Sequence, residues 1–202
     1  MRYIKIMRDS LKDSKASSGL AAIIKAANAQ GTGEGERPVE KWDPKHCGKM
    51  DMVIRRDGTW WHEGSPIGRK ALVELFASVL RKDEDGKTYL VTPVEKIEIQ
   101  VECAHFLVVD LKRDGNNYYF TTNLGETVKL STERPLRVLT DPETLEPTPL
   151  LRVRGRLDAL LTRAVFFELI EHAIEQDTDE GQQLGIKSGD AFFPIAPAGA
   201  HL

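Results

Sequence analysis

The sequence predicts an α+β protein, mainly antiparallel sheet assembled from hairpins with two principal amphipathic helices. Three observations carry this. Asp57-Gly58 and Asp114-Gly115 each sit between apolar runs, the strongest short-range hairpin signal. "EKIEIQVE" alternates strictly, with Ile97, Ile99 and Val101 on one face and Glu98, Gln100 and Glu102 on the other. Only two later stretches carry a helical stripe, so strands come in runs rather than in the regular β-α alternation of a parallel α/β sheet.

Taken in order, residues 1–36 read as a leader helix and linker. Leu20, Ile23, Ile24 and Ala27 fall at helical spacing, and "GTGEGERP" follows as a Gly-rich connection closed by Pro38. The expectation is a mobile arm. "DMVIRR" and "TWWHE" then flank the first Asp-Gly turn. On such a strand Trp60 and His62 face one side and Trp61 and Glu63 the other, so one tryptophan belongs in the core. "GSPIG" fits a turn ahead of a helix. "RKALVELFASVLRK" supplies that helix, with Leu72, Leu75, Phe76, Val79 and Leu80 forming its stripe. "DEDGKTYLVTP" gives an acidic turn and a short strand, and "HFLVVDLKRDGNNYYFTTN" a second hairpin.

"STERPLRVLTDPETLEPTPLL" breaks into short extended pieces and turns. "LLRVRGRLDALLTRAVFFELIEHAIEQ" reads as strand, turn and second amphipathic helix, and "IKSGDAFFPI" as a terminal hairpin. Aligning Arg69 with Arg163 also pairs Glu74 with Glu168 and Leu75 with Leu169. Each helix follows a glycine-ended strand and precedes an acidic loop with a short aromatic strand. This order of elements points to two related subdomains, residues 37–110 and 111–202.

Bulk composition bounds the function. The chain has 202 residues, 41% hydrophobic and 29% charged, and a net charge of −3, which gives no general affinity for nucleic-acid backbones. Two cysteines are too few for a disulfide framework and read as free thiols in a reducing compartment. "GLAAIIKAANAQG" imitates a signal peptide, but Lys25 interrupts its apolar run and no stretch reaches membrane-spanning length. A cytoplasmic protein without membrane attachment is expected.

No catalytic signature stands out. His46-Cys47 and Cys103-x-His105 lack zinc-site spacing, no Gly-x-Ser-x-Gly elbow is present, and "GTGEGE" lacks a phosphate loop's context. No metal and no cofactor is expected. Cys47, between His46 and Gly48, is an incidental thiol rather than a nucleophile. Arg152 and Arg154 share one side of a strand, a geometry suited to a carboxylate or phosphate, although a charged sheet face is the simpler reading.

"RDGTWWHEGSPIGRKALVELFASVLRKDEDGKTYLVTPVEKIEIQVE", with the ending "SGDAFFPI", resembles the proteobacterial family named domain of unknown function 1285, from about Trp42 to Ile195. Its most specific pieces are Arg56-Asp57-Gly58-x-Trp60, Gly64-Ser65-Pro66-Ile67, Thr92-Pro93-Val94-Glu95-Lys96 and Ile99-Gln100-Val101-Glu102. The resemblance implies a cytoplasmic, two-subdomain α+β protein concerned with signal transduction or ligand binding, and it transfers no catalytic residue.

The expectation is therefore a non-enzymatic ligand-binding or regulatory module. Its groove would lie between the subdomains, lined by Trp60, His62, Arg69, Glu95 and Gln100, and would accept a small molecule or a protein partner. The alternative is a small hydrolase using His62 with a nearby carboxylate. A third reading is a homodimer joined through a strand edge such as residues 105–112.

Overall fold

The computed structural model describes residues 23–25 and 37–199. Ile23–Lys25 are helical, and Ile23 is wholly buried. The rest of the expected leader lies outside the described residues. The chain divides into two compact units. The first runs to Arg55 and resumes at Thr59–Glu102, and the second comprises Arg56–Gly58 and everything from Cys103. The division therefore falls ahead of the expected 110/111 boundary, which would cut a continuous strand, and the tip of the first hairpin is counted with the second unit.

In the first unit a 3-10 turn, Val39–Lys41, precedes strands β1 (His46–Ile54), β2 (Trp60–His62) and β3 (Ser65–Pro66). Helix α1 (Lys70–Ala77) follows, then β4 (Leu80–Lys82), β5 (Thr88–Val91) and β6 (Lys96–Val101). They form one six-stranded sheet in the order β3-β2-β1-β6-β5-β4. β1 buries Met50, Met52 and Ile54 on one face, and α1 buries Val73, Phe76 and Ala77. Each large apolar side chain buried in this way contributes about 1.5–3 kcal/mol.

An ionic cluster ties one end of this sheet. Buried Arg81 donates to the carbonyls of Val39 (2.8 Å) and Trp42 (2.6 Å) and to the Asp83 carboxylate (2.6 Å), which Lys96 also pairs. Burial pushes Asp83 toward the neutral acid, but the hydrogen bonds from Arg81 and Lys96 outweigh it and hold the carboxyl below its ordinary value. The Tyr89 hydroxyl donates to Asp85 at 2.6 Å and is pushed up to about 12, chiefly by that bond.

The second unit opens with the meander β7 (Phe106–Asp114), β8 (Asn117–Thr122) and β9 (Thr127–Lys129). A second meander follows, β10 (Leu136–Thr140), β11 (Pro147–Arg154) and β12 (Leu157–Leu161). Their common sheet has the order β10-β11-β12-β7-β8-β9. Helix α2 (Arg163–Ile170) leads into a three-stranded sheet of β13 (Ile174–Thr178), β14 (Gly181–Ser188) and β15 (Ala191–Pro197). Phe106, Val108, Phe120, Leu151, Val153 and Leu161 are among its buried side chains, with Val165, Phe166 and Leu169 from α2.

The protein is thus sheet-rich, and several expectations are corrected. Both helices are shorter than their apolar stripes: Leu80–Lys82 and Ile174–Thr178 are strands, because sheet pairing with β5 and β14 overrides local helical spacing. The pairing is mainly antiparallel, as expected, and the exceptions are β1 with β6 and β12 with β7, which run parallel. Each parallel pair joins two meanders, a junction that no hairpin turn specifies. Finally, within residues 105–112, Phe106–Val108 offer no free strand edge, because they pair with β12, while from Asp110 to Asp114 the strand pairs with β8.

Candidate functional site

Period-2 alternation on β1 sets the first unit's outer face. With Met50, Met52 and Ile54 turned to the core, Asp51, Val53 and Arg55 point the other way. Val53 lies opposite Trp61 on β2 and opposite Gln100 on β6, so these three form a row across the strands. Asp51, Glu102 and Gly64 complete the rim of a concavity of about 580 Å³.

Within it the Arg55 guanidinium lies 3.6 Å from the centre of the Trp61 ring, an attraction worth about 0.5–1 kcal/mol at an exposed site. The indole Nε1–H donates to Thr59 Oγ1 at 2.9 Å, which fixes the ring's orientation. Glu63 and Gly64 have φ of 48° and 74°, forming a tight turn that pairs His62 with Ser65. The Gly-Ser-Pro segment is therefore a hairpin that returns beside Trp61, and the helix begins only after it.

The five expected site residues all fall in the first unit. Gln100 lines the concavity. Trp60 does not: it pairs with Ile54, is 2% exposed, and stacks on Phe76 with ring centres 6.2 Å apart. His62 lies opposite Met52, on the core side of β2. Its Nδ1 is 4.0 Å from Glu63 Oε2, and its Nε2 is buried without a hydrogen-bond partner among the described residues.

Arg69 precedes α1 in extended conformation and accepts the Val73 N–H at its carbonyl. Glu95 closes the Thr92 turn, where its N–H donates to Thr92 Oγ1 at 3.1 Å and its Oε2 is buried without a partner among the described residues. Neither lines the concavity. Sequence reasoning set Trp61 on the face opposite Trp60 but did not join it to Arg55. The signal was their shared parity across the Asp-Gly turn.

Elsewhere the polar motifs serve the fold. Arg152 pairs with Asp158 at 2.7 Å and Arg154 with Glu126 at 2.5 Å, so neither waits for an anion. Arg137 also reaches Asp158, at 2.8 Å. Buried His105 accepts the Asp158 N–H at Nδ1 (3.1 Å). Cys47 is exposed and Cys103 half-buried, the latter accepting from Arg56 at 3.6 Å. Among the described residues no three His, Cys, Asp or Glu side chains converge as a metal site. No described helix is long and apolar enough to cross a membrane.

Residues 37–104 match the family described as "Domain of unknown function (DUF1285), N-terminal domain", and residues 105–195 the one described as "Protein of unknown function (DUF1285), C-terminal domain". Among solved structures, a crystal structure of a DUF1285 family protein from Silicibacter pomeroyi DSS-3 is 38% identical, with a TM-score of 0.77 over 87% of this chain and 95% of that one. A second, from Shewanella baltica OS155, is 24% identical, with a TM-score of 0.49 over 60% of this chain and 91% of that one. No curated protein matches the chain.

Proposed function

The chain belongs to the DUF1285 family along both units, and from that premise we propose that it is a non-enzymatic ligand-binding or regulatory module. It acts in the cytoplasm in signal transduction and reads a small molecule or a protein partner on the open sheet face of the first unit. The observation that carries this reading is the Arg55–Trp61 stack, set in one row with Val53 and Gln100.

A guanidinium held on an indole presents a planar, weakly hydrated surface on which a flat group can stack. Gln100 offers a donor and an acceptor beside it, and Asp51 and Glu102 supply negative charge at the edge. These groups recognise; they do not form a nucleophile–base pair. A hydrolytic base must come within hydrogen-bond reach of its proton. His62 is on the other face of β2 from Trp61, which supports binding over hydrolysis.

A thermal-shift screen of metabolites on the full chain, run beside ester, phosphoester and peptide substrates, tests the proposal. We expect stabilisation without turnover, lost in Trp61→Ala and Gln100→Ala and kept in His62→Ala. Turnover that disappears in His62→Ala would overturn it.

A further inference from the structure

The second unit has a cavity of its own, of about 690 Å³, within the range of small-molecule sites. Its walls are apolar: Leu160 from β12, Phe166 and Phe167 from α2, and Pro147 and Pro149 from β11. Phe167 is 46% exposed, an uncommon state for so large an apolar ring.

Two charges at this cavity are unpaired. Arg163, the first residue of α2, is exposed and rests its guanidinium 5.3 Å from the Phe167 ring centre, with no carboxylate partner among the described residues. Glu146 is exposed as well, and its carboxylate has no partner among the described residues. Its backbone is nonetheless pinned, since Glu146 N–H donates to Thr144 Oγ1 at 3.3 Å and its carbonyl accepts the Asp141 N–H at 3.1 Å. Arg56 and Asp57 also line the cavity, but each has partners within the protein.

The two free charges decide the ligand class. A fatty acid would satisfy Arg163 and meet repulsion from Glu146, and a phosphorylated ligand would meet more. A cation with an apolar tail would suit Glu146 and be repelled by Arg163. A molecule with both charges on an apolar body suits both, and the volume exceeds what one amino acid fills. We propose that this cavity binds short apolar peptides with free termini. The terminal carboxylate pairs with Arg163, the terminal ammonium with Glu146, and the side chains lie against Phe166, Phe167 and the two prolines.

Calorimetric titration of the full chain with trileucine tests this, beside N-acetyl-trileucine, trileucine amide, leucine and decanoate. Trileucine should bind, and blocking either terminus should weaken it about tenfold or more. In Arg163→Gln, trileucine and its amide should bind alike; in Glu146→Gln, trileucine and its N-acetyl form should. Phe167→Ala, at an exposed position that leaves the fold intact, should weaken every peptide. Trp61→Ala should change none of this, which separates the site from the sheet face of the first unit. Absence of trileucine binding at millimolar concentration, or equal binding of free and blocked peptides, would overturn the proposal. So would leucine or decanoate binding as tightly as trileucine.

Discussion

Trp60 and Trp61 are adjacent and chemically identical, yet their surroundings differ completely. Alternation shows from sequence alone that they face opposite ways; it does not show which one faces in. That depends on the hairpin's register, and Arg55 N–H donating to Thr59 carbonyl sets Ile54 opposite Trp60. A one-residue slip would exchange the two rings. The same ambiguity explains why Trp60 and His62 were grouped with Gln100 as site residues: parity on one strand says nothing about the face of another until the register is known. With Trp60 2% exposed and stacked on Phe76, Trp60→Ala should cost about 3–5 kcal/mol. Trp61→Ala gives up a half-buried ring with its cation–π contact and its hydrogen bond to Thr59, and should cost less, about 1–2 kcal/mol. Urea melts of the two variants check this, and equal losses would mean that the register is wrong.

At the scale of elements, turns were more legible than helix ends. Asp57-Gly58 and Asp114-Gly115 are hairpin turns because their glycines supply positive φ, a local property written in two residues. The α1 stripe, by contrast, continues through Val79 and Leu80 although the helix stops at Ala77. Those side chains are buried either way, and pairing of Leu80 with Leu90 is a non-local gain that the stripe cannot announce. The terminal hairpin was legible, but not the constraint inside it. Gly185 sits beside a register shift between β14 and β15, where an added Cβ would lie 2.5 Å from the Phe193 carbonyl oxygen and 2.5 Å from Phe192 Cζ. The ring can turn aside; the backbone oxygen cannot without moving the strand. Gly185→Ala should therefore cost about 1–3 kcal/mol, as overpacking does. A calorimetric melt that leaves the transition temperature unchanged would show that the two strands have room there.

At the scale of the whole molecule, the sequence suggested a repeat, and the two large sheets do share a strand order. In each, a three-strand meander is followed by a second whose last strand lies parallel to the first strand of the unit. The helices are not in phase with it, because α1 falls between the two meanders and α2 comes after both. Aligning Arg69 with Arg163 therefore matched amphipathic stripes rather than equivalent positions, and the strand order was invisible because pairing between meanders is non-local. The division of the chain was hidden for a related reason: Arg56–Gly58 lies within the first unit's sequence but is counted with the second. Gly58 has φ +77°, and a Cβ there would lie 2.9 Å from Leu107 Cδ1 and 3.1 Å from Asn123 Nδ2. Leu107 and Asn123 are themselves linked, by the Leu107 N–H to Asn123 Oδ1 at 3.1 Å and the Asn123 N–H to the Leu107 carbonyl at 2.8 Å. Gly58→Ala should thus carry two costs, about 1–2 kcal/mol for left-handed backbone and a further loss from displacing Leu107. Gly64→Ala isolates the first, since Gly64 has φ +74° with nothing within 4 Å of its added Cβ. In hydrogen exchange, Gly58→Ala should speed the Leu107 and Asn123 amides about tenfold, a change of about 1.4 kcal/mol, while Gly64→Ala leaves them as they are. Equal behaviour of the two variants at those amides would show that the hairpin tip does not brace the second unit.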